Sequence, residues 1–191
     1  MIGRCIVAVM SIVLVAADAP PPQAMRQSGA EKWFGELTLI DQDSHRVSLY
    51  EDLMARHVVV VNAFYTGCRA ACPQVMGTLA DLRGQVAIDG PETRFISITV
   101  DPEHDTPDRL ALYARTMGAD ADWRMLSGDP ISVHAALHKL GLDVKPDDPV
   151  DHLNVLYIAN LRTGLWVKAF SLAPLDSLVQ LLQRVDSDPG P

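Results

Sequence analysis

The pattern of hydrophobic and polar positions predicts strands that alternate with helices along most of the chain. Residues 57–64 (HVVVVNAF) form a nearly continuous apolar run rich in β-branched residues, which is typical of a strand buried on both faces. Residues 36–40 alternate, and a polar turn separates them from residues 47–49, which predicts a hairpin before that strand. Further strands are predicted over the ranges 94–100, 123–126, 154–159 and 165–170.

Four helices are predicted between these strands or after the last of them. Apolar residues at helical spacing directly follow the buried strand. Asp105-Thr106-Pro107 starts the second helix, with a capping side chain and then proline at the first helical position, and Gly118 ends it. The last two helices are predicted over residues 131–140 and 175–185. This order predicts an α/β fold, a three-layer sandwich with a mixed central sheet and an N-terminal hairpin.

The amino-terminal segment has the pattern of an export signal. Arg4 gives it a positive start, and the apolar run of residues 5–17 is shorter than the roughly 20 residues needed to cross a bilayer. We predict that residues 1–19 are a signal peptide or a short membrane anchor and that residues 20–31 are a Pro-rich linker. The folded domain is predicted over residues 32–186, and a polar tail over 187–191. The expected location is periplasmic or exported, either free or tethered to the cytoplasmic membrane.

The amino-acid composition of the chain limits the classes of molecule that it is expected to bind. The chain has 191 residues, which suits one ordinary domain, and we expect a monomer. Its formal net charge of −8 argues against binding to nucleic acid. It also argues against binding to anionic lipid through a cluster of basic residues. Aromatic residues make up only 6%, which also disfavours a surface for stacking bases.

The cysteines are the first candidates for chemistry. Of three cysteines, Cys5 lies in the export signal, which leaves Cys68 and Cys72 in a compartment where thiols oxidise. If Cys72 begins a helix, both sulfurs face one side, and the helix amino terminus lowers the pKa of the thiols. Thiolates are soft ligands that prefer Cu(I) and Zn(II), and the same pair can also close a disulfide. The alternatives are a structural disulfide or two buried small residues.

A histidine could add a third ligand to two thiolates. His152 stands just before a predicted strand, and the ends of strands are where α/β sheets gather ligands. His104 lies in an acidic turn, where it is either near such a site or simply exposed. The other candidates are expected at the surface or on a solvated helix flank: His45, His57, His134 and His138.

Three ordered motifs resemble those of the Sco/SenC family of copper chaperones. The first, FYTxCxxxCP, begins at Phe64 and contains both cysteines. The second, ITVDPxxDTPxxLxxYA, begins at Ile98. The third is Asp151-His152, followed by Tyr157-Ile158. The resemblance spans about residues 36–185, which is essentially the whole predicted domain.

The resemblance implies a thioredoxin-like domain that is exported and usually tethered at the cytoplasmic membrane. It implies one copper ion held by Cys68, Cys72 and His152, with Asp101 in an acidic loop near the metal. Family members help to assemble the binuclear copper centre of cytochrome c oxidase, some by delivering copper and some by reducing the cysteines that receive it. The implied partner is the copper-receiving subunit of that oxidase or another exported cuproprotein.

Two functions of different classes follow from these residues. The first is a binding protein, a metallochaperone that needs Cys68 and Cys72 reduced because a disulfide cannot hold the metal. The second is an enzyme, a thiol–disulfide oxidoreductase in which Cys68 attacks a partner disulfide and Cys72 resolves the mixed disulfide. His152 is required only by the first, so this residue distinguishes the two.

Overall fold

A computed structural model describes residues 29–69, 72–89, 93–143 and 154–190. Residues 29–34 are helical and are named α1. In the described ranges the strands are β1 (Thr38–Asp41), β2 (Arg46–Ser48), β3 (Val58–Phe64), β4 (Thr93–Thr99), β5 (Trp123–Ser127), β6 (Val155–Asn160) and β7 (Leu165–Phe170). The longer helices are α2 (Cys72–Asp89), α3 (Pro107–Met117), α4 (Pro130–Leu140) and α5 (Leu175–Asp186).

The seven described strands form one mixed sheet in the order β2-β1-β5-β4-β3-β6-β7. The three central strands β5, β4 and β3 are parallel, and Val60 of β3 lies opposite Phe95 of β4. The hairpins β1–β2 and β6–β7 add antiparallel strands at the two sides. The predicted α/β architecture, with a mixed sheet and an N-terminal hairpin, is confirmed.

Helices cover both faces of the sheet, because β3 alternates its side chains between two apolar cores. All seven residues of β3 are buried. Val58 and Val60 pack with apolar residues of α2, α3 and α5 on one face. Val59 and Val61 pack with α4, with Phe34 and with residues that follow β2 on the other. The sheet is therefore the middle layer of a three-layer sandwich.

The structure corrects one end of the predicted N-terminal hairpin. Leu49 was expected to end the second strand, but a π-helical turn spans Leu49–Met54. Ser48 caps this turn by accepting a hydrogen bond from the Glu51 amide at 3.2 Å. Leu49 is buried in the core as the first residue of this turn.

Three polar side chains buried in the sheet hydrogen-bond to one another. The Ser97 hydroxyl donates to Asn62 Oδ1 at 2.6 Å, and the Trp123 indole donates to the same hydroxyl at 2.9 Å. These contacts connect β3, β4 and β5 in the interior of the sheet. In the described ranges, no helix is long and apolar enough to span a membrane.

Candidate metal centre

The cysteine pair lies at the carboxyl end of the central strand β3. The chain leaves β3 at Phe64 and turns so that the Cys68 amide donates to the Tyr65 carbonyl at 3.3 Å. The helix α2 then begins at Cys72. Cys68 and Cys72 form a disulfide, with their Cα atoms 5.8 Å apart. The expected geometry, with both sulfurs at a strand-to-helix junction, is present.

The two sulfurs differ in environment. Cys72 is only 1% exposed and packs in the core, whereas Cys68 is half-buried. The backbone amide of Cys72 donates to the Cys68 sulfur at 3.3 Å. An amide at a helix amino terminus favours negative charge on the atom it faces, so this contact would stabilise a Cys68 thiolate after reduction. The reduced pair thus offers two adjacent soft donors, which fit Cu(I) better than a hard cation.

A buried carboxyl group holds the loop before the cysteines. Asp105 is 0% exposed, and its Oδ2 accepts from the Thr66 amide at 3.0 Å and from the Thr99 hydroxyl at 2.5 Å. The Thr66 hydroxyl donates to the other oxygen of Asp105. Sequence reasoning missed this contact and assigned a capping side chain to the start of α3. The structure corrects this, since Thr106 is the N-cap residue and makes no side-chain capping hydrogen bond.

Asp101 lies in the loop after β4, next to the loop that leads to the cysteines. The two loops meet where the Val100 amide donates to the Phe64 carbonyl at 2.8 Å. The Asp101 carboxylate contacts His104 Nδ1 at 2.7 Å, and this hydrogen bond, with the negative charge of Asp101, raises the pKa of His104. Both side chains are open to solvent. Within the described residues, Asp101 is not grouped with the cysteines as a metal site.

The predicted third ligand, His152, lies outside the described residues. The described chain resumes at Asn154, directly before β6. Leu156 pairs with Asn62, so β6 starts beside the carboxyl end of β3. The assignment of His152 as a ligand therefore stays a prediction.

Comparison with known proteins decides the family. The family model for SCO1/SenC matches residues 25–172. The chain belongs to the SCO1/SenC family. The "SCO1 protein homolog" of Bacillus subtilis (strain 168) is 30% identical over 92 residues, which is 48% of this chain and 47% of that protein. The matched part thus spans about half the length of this curated relative.

Solved structures of Sco proteins have the same fold. Arabidopsis thaliana ScoI with copper bound has a TM-score of 0.68 and 22% identity, and the match covers 81% of this chain and 98% of that one. BsSco, described as a member of the Sco family of cytochrome c oxidase assembly proteins with a disulfide switch, has a TM-score of 0.66 and 25% identity. That match covers 78% of this chain and 91% of BsSco. The thioredoxin-like fold predicted from the sequence is confirmed.

Among the described residues, none of the remaining histidines of this SCO1/SenC chain brings a ligand atom together with both cysteines. His134 is exposed on α4, and His138 is exposed and contacts Asp143 at 2.9 Å. His45 is exposed as expected, whereas His57 is half-buried. The expectation of a solvated flank on α4 is confirmed.

One cluster of potential metal ligands was not anticipated from the sequence. Asp41, Asp43 and His45 bring ligand atoms within 4.8 Å of one another, which makes them the one such group in the described ranges. Arg124 pairs with Asp41 at 3.2 Å and with Asp43 at 2.8 Å. The guanidinium already supplies the positive charge that these carboxylates attract, so the cluster is explained as an ion-pair network.

Proposed function

We propose that this protein is an exported metallochaperone that holds one copper ion and aids assembly of the copper centre of cytochrome c oxidase. One observation carries the proposal, namely the pair of sulfurs at the junction of β3 and α2 in a chain of the SCO1/SenC family. Cys68 and Cys72 supply two soft donors that suit Cu(I). Copper bound to the related Arabidopsis ScoI supports the choice of metal.

His152 is the proposed third ligand. It lies two positions before Asn154, and two residues of extended chain span about 7 Å at most. β6 begins beside the carboxyl end of β3, where the cysteines lie. A histidine this close to β6 in sequence is therefore within reach of the cysteine end of the sheet. Asp101 is proposed to lie beside the metal without binding it directly, and its loop contacts the loop that leads to Cys68.

The location and partner belong to the same proposal. The apolar run near the amino terminus supports export, with residues 1–19 as a cleaved signal or an anchor and residues 20–31 as a linker. Copper passes to the copper-receiving subunit of cytochrome c oxidase or to another exported cuproprotein. The assignment of BsSco to oxidase assembly supports this class of partner. We expect a monomer, because an isolated domain of this size and composition needs no second copy.

The test is a competition titration of the reduced full chain with Cu(I) against a chelator of known affinity. We expect one copper per chain and a sharp loss of affinity in His152→Ala. His138→Ala is the matched control, because the His138 side chain is exposed on α4 and its described hydrogen bond is to Asp143. Absence of tight binding by the unmodified chain would refute the proposal, and equal affinity in His152→Ala would remove this histidine from the site.

A thiol–disulfide oxidoreductase is the second candidate, and the disulfide itself is the observation in its favour. Cys68 is the more exposed sulfur and would attack a partner disulfide, while the buried Cys72 would resolve the mixed disulfide. Reduction of an oxidised peptide with two cysteines measures this activity. An unchanged rate in His152→Ala, together with a chain that binds no copper, would favour the enzyme over the chaperone.

A further inference from the structure

Asp105 is a buried carboxyl group without a cationic partner. It is 0% exposed, and no salt bridge among the described residues includes it. Three donors point at its two oxygens, namely the amide and hydroxyl of Thr66 and the hydroxyl of Thr99. Acidic side chains are rarely fully buried, so a fully buried one with three donors is a specific arrangement.

The donors connect three parts of the cysteine end of the sheet. Thr66 lies two residues before Cys68, in the loop that leaves β3. Thr99 is the last residue of β4, and its hydroxyl oxygen also accepts from the Asp101 amide at 3.0 Å. Asp105 itself stands immediately before the N-cap residue of α3. The side chain of Asp105 therefore connects the start of the cysteine loop to the end of β4 and to the start of α3.

From this arrangement we propose that Asp105 is a positioning residue for the cysteine pair. Through Thr66 it holds the loop of residues 65–68 in the conformation that keeps the Cys68 sulfur against Cys72. Its effect on the disulfide is independent of copper, whereas its effect on copper affinity rests on the proposed function. Asp105 acts through the loop, since the described hydrogen bonds of its side chain go to Thr66 and Thr99 and not to a cysteine.

The physical consequence is a higher effective concentration of one sulfur near the other. Reduction by glutathione breaks the Cys68–Cys72 bond, and the pair takes up two electrons and two protons. Two glutathione thiols supply them and become one glutathione disulfide. A loop held in place favours the closed disulfide over the open dithiol, because little conformational freedom is lost on closure. The same preorganisation favours two sulfurs closing on one Cu(I) ion.

A purely structural role for Asp105 predicts a different result. In that case its hydrogen bonds stabilise the start of α3, and replacing it lowers only the free energy of unfolding. Ser97 provides a matched comparison, because its buried hydroxyl also links neighbouring strands by two hydrogen bonds. Ser97 belongs to β4 and makes no described contact with the cysteine loop. Ser97→Ala thus measures the effect of a lost buried polar contact alone.

The experiment equilibrates each full-length variant in glutathione buffers and quantifies the free thiols of Cys68 and Cys72. Asp105→Asn replaces one acceptor oxygen by an amide group that donates, so at least one donor loses its partner. We expect its equilibrium to shift toward the dithiol by about tenfold, the effect of losing one hydrogen bond to a charged group. Thr66→Val should shift it in the same direction and Thr66→Ser should restore it, while Ser97→Ala leaves it unchanged.

A glutathione equilibrium that stays within about twofold in both Asp105→Asn and Thr66→Val would overturn the proposal. If Asp105→Asn does not fold, Thr66→Val decides, because it removes one hydroxyl from a partly exposed loop and keeps the Thr66 amide. Cu(I) titration of the same variants separates the two proposals. A chain that binds no copper but shows the expected redox shift refutes the chaperone function and retains the role of Asp105.

Discussion

Reduction of the Cys68–Cys72 disulfide should cost the domain little stability, and this distinguishes a functional pair from a structural cross-link. The bond joins residues only four apart in sequence, so it closes a very short loop. In the chain-entropy description, such a loop contributes about 2 kcal/mol, because the contribution grows with the logarithm of loop length. The perturbation is therefore small compared with the burial of the surrounding core.

The packing around the pair explains why the fold should survive reduction. The strand before Cys68 is buried along its whole length. The helix after it is anchored by apolar side chains that include Met76, Leu79 and Leu82, each at most 1% exposed. A reduced Cys72 remains a small buried apolar residue in the same core. The disulfide thus adds to a structure that hydrophobic contacts already fix.

The assay is thermal unfolding followed by circular dichroism, with and without a thiol reductant. A loss of about 2 kcal/mol lowers the melting temperature of a domain of this size by about 4–8 °C. The double variant Cys68→Ser/Cys72→Ser is the control, since it should not respond to the reductant. Unfolding of the reduced protein at room temperature, or a decrease beyond about 15 °C, would show that the bond is a structural cross-link and refute this reasoning.

Three further outcomes test other parts of the structure. Asp101→Asn should lower the pKa of His104 toward its ordinary value, as followed by NMR titration. Because Asp101 raises this pKa, the contact fully stabilises the fold at pH values below the pKa of His104 in the unfolded chain. This stabilisation is lost as the pH rises through the pKa of His104 in the folded protein. Ser97→Ala should lower the free energy of unfolding in urea by about 1–3 kcal/mol, since two buried groups lose their partner. Gly141→Ala should lower the melting temperature, because Gly141 has φ +67° and an added Cβ would lie 3.2 Å from Tyr157 Oη.

Hydrophobic patterning was sufficient to predict the central elements. The run of residues 57–64 is apolar at nearly every position because both faces of β3 are covered. An amphipathic segment is apolar on one face only and does not show this continuous pattern. Pro107 and Gly118 gave the limits of α3 because their backbone preferences are local, and Gly118 has the left-handed conformation expected at a helix end. Leu49 was placed in a strand because its alternation with Val47 also fits a strand.

The two sulfurs were predictable as a pair, and their loop was not. The spacing of Cys68 and Cys72 limits how far apart they can lie, and the strand-to-helix junction follows from the local pattern. The contact of Asp105 with Thr66 joins residues 39 apart in sequence, so no periodic pattern along the chain predicts it. A polar residue before a helix is ordinarily read as a cap, so the sequence favoured the wrong partner for this carboxyl group.

The sequence by itself determined most of the element types, the cysteine pair and the motifs of the family resemblance, because each depends on residues close together in the chain. Only the tertiary structure decided the strand order, which places β5 between β1 and β4. It also decided that the carboxyl group of Asp105 turns inward, where the ends of β3 and β4 present donors that it can satisfy. These arrangements depend on long-range burial and hydrogen bonding, which act between surfaces that exist only after the chain has folded.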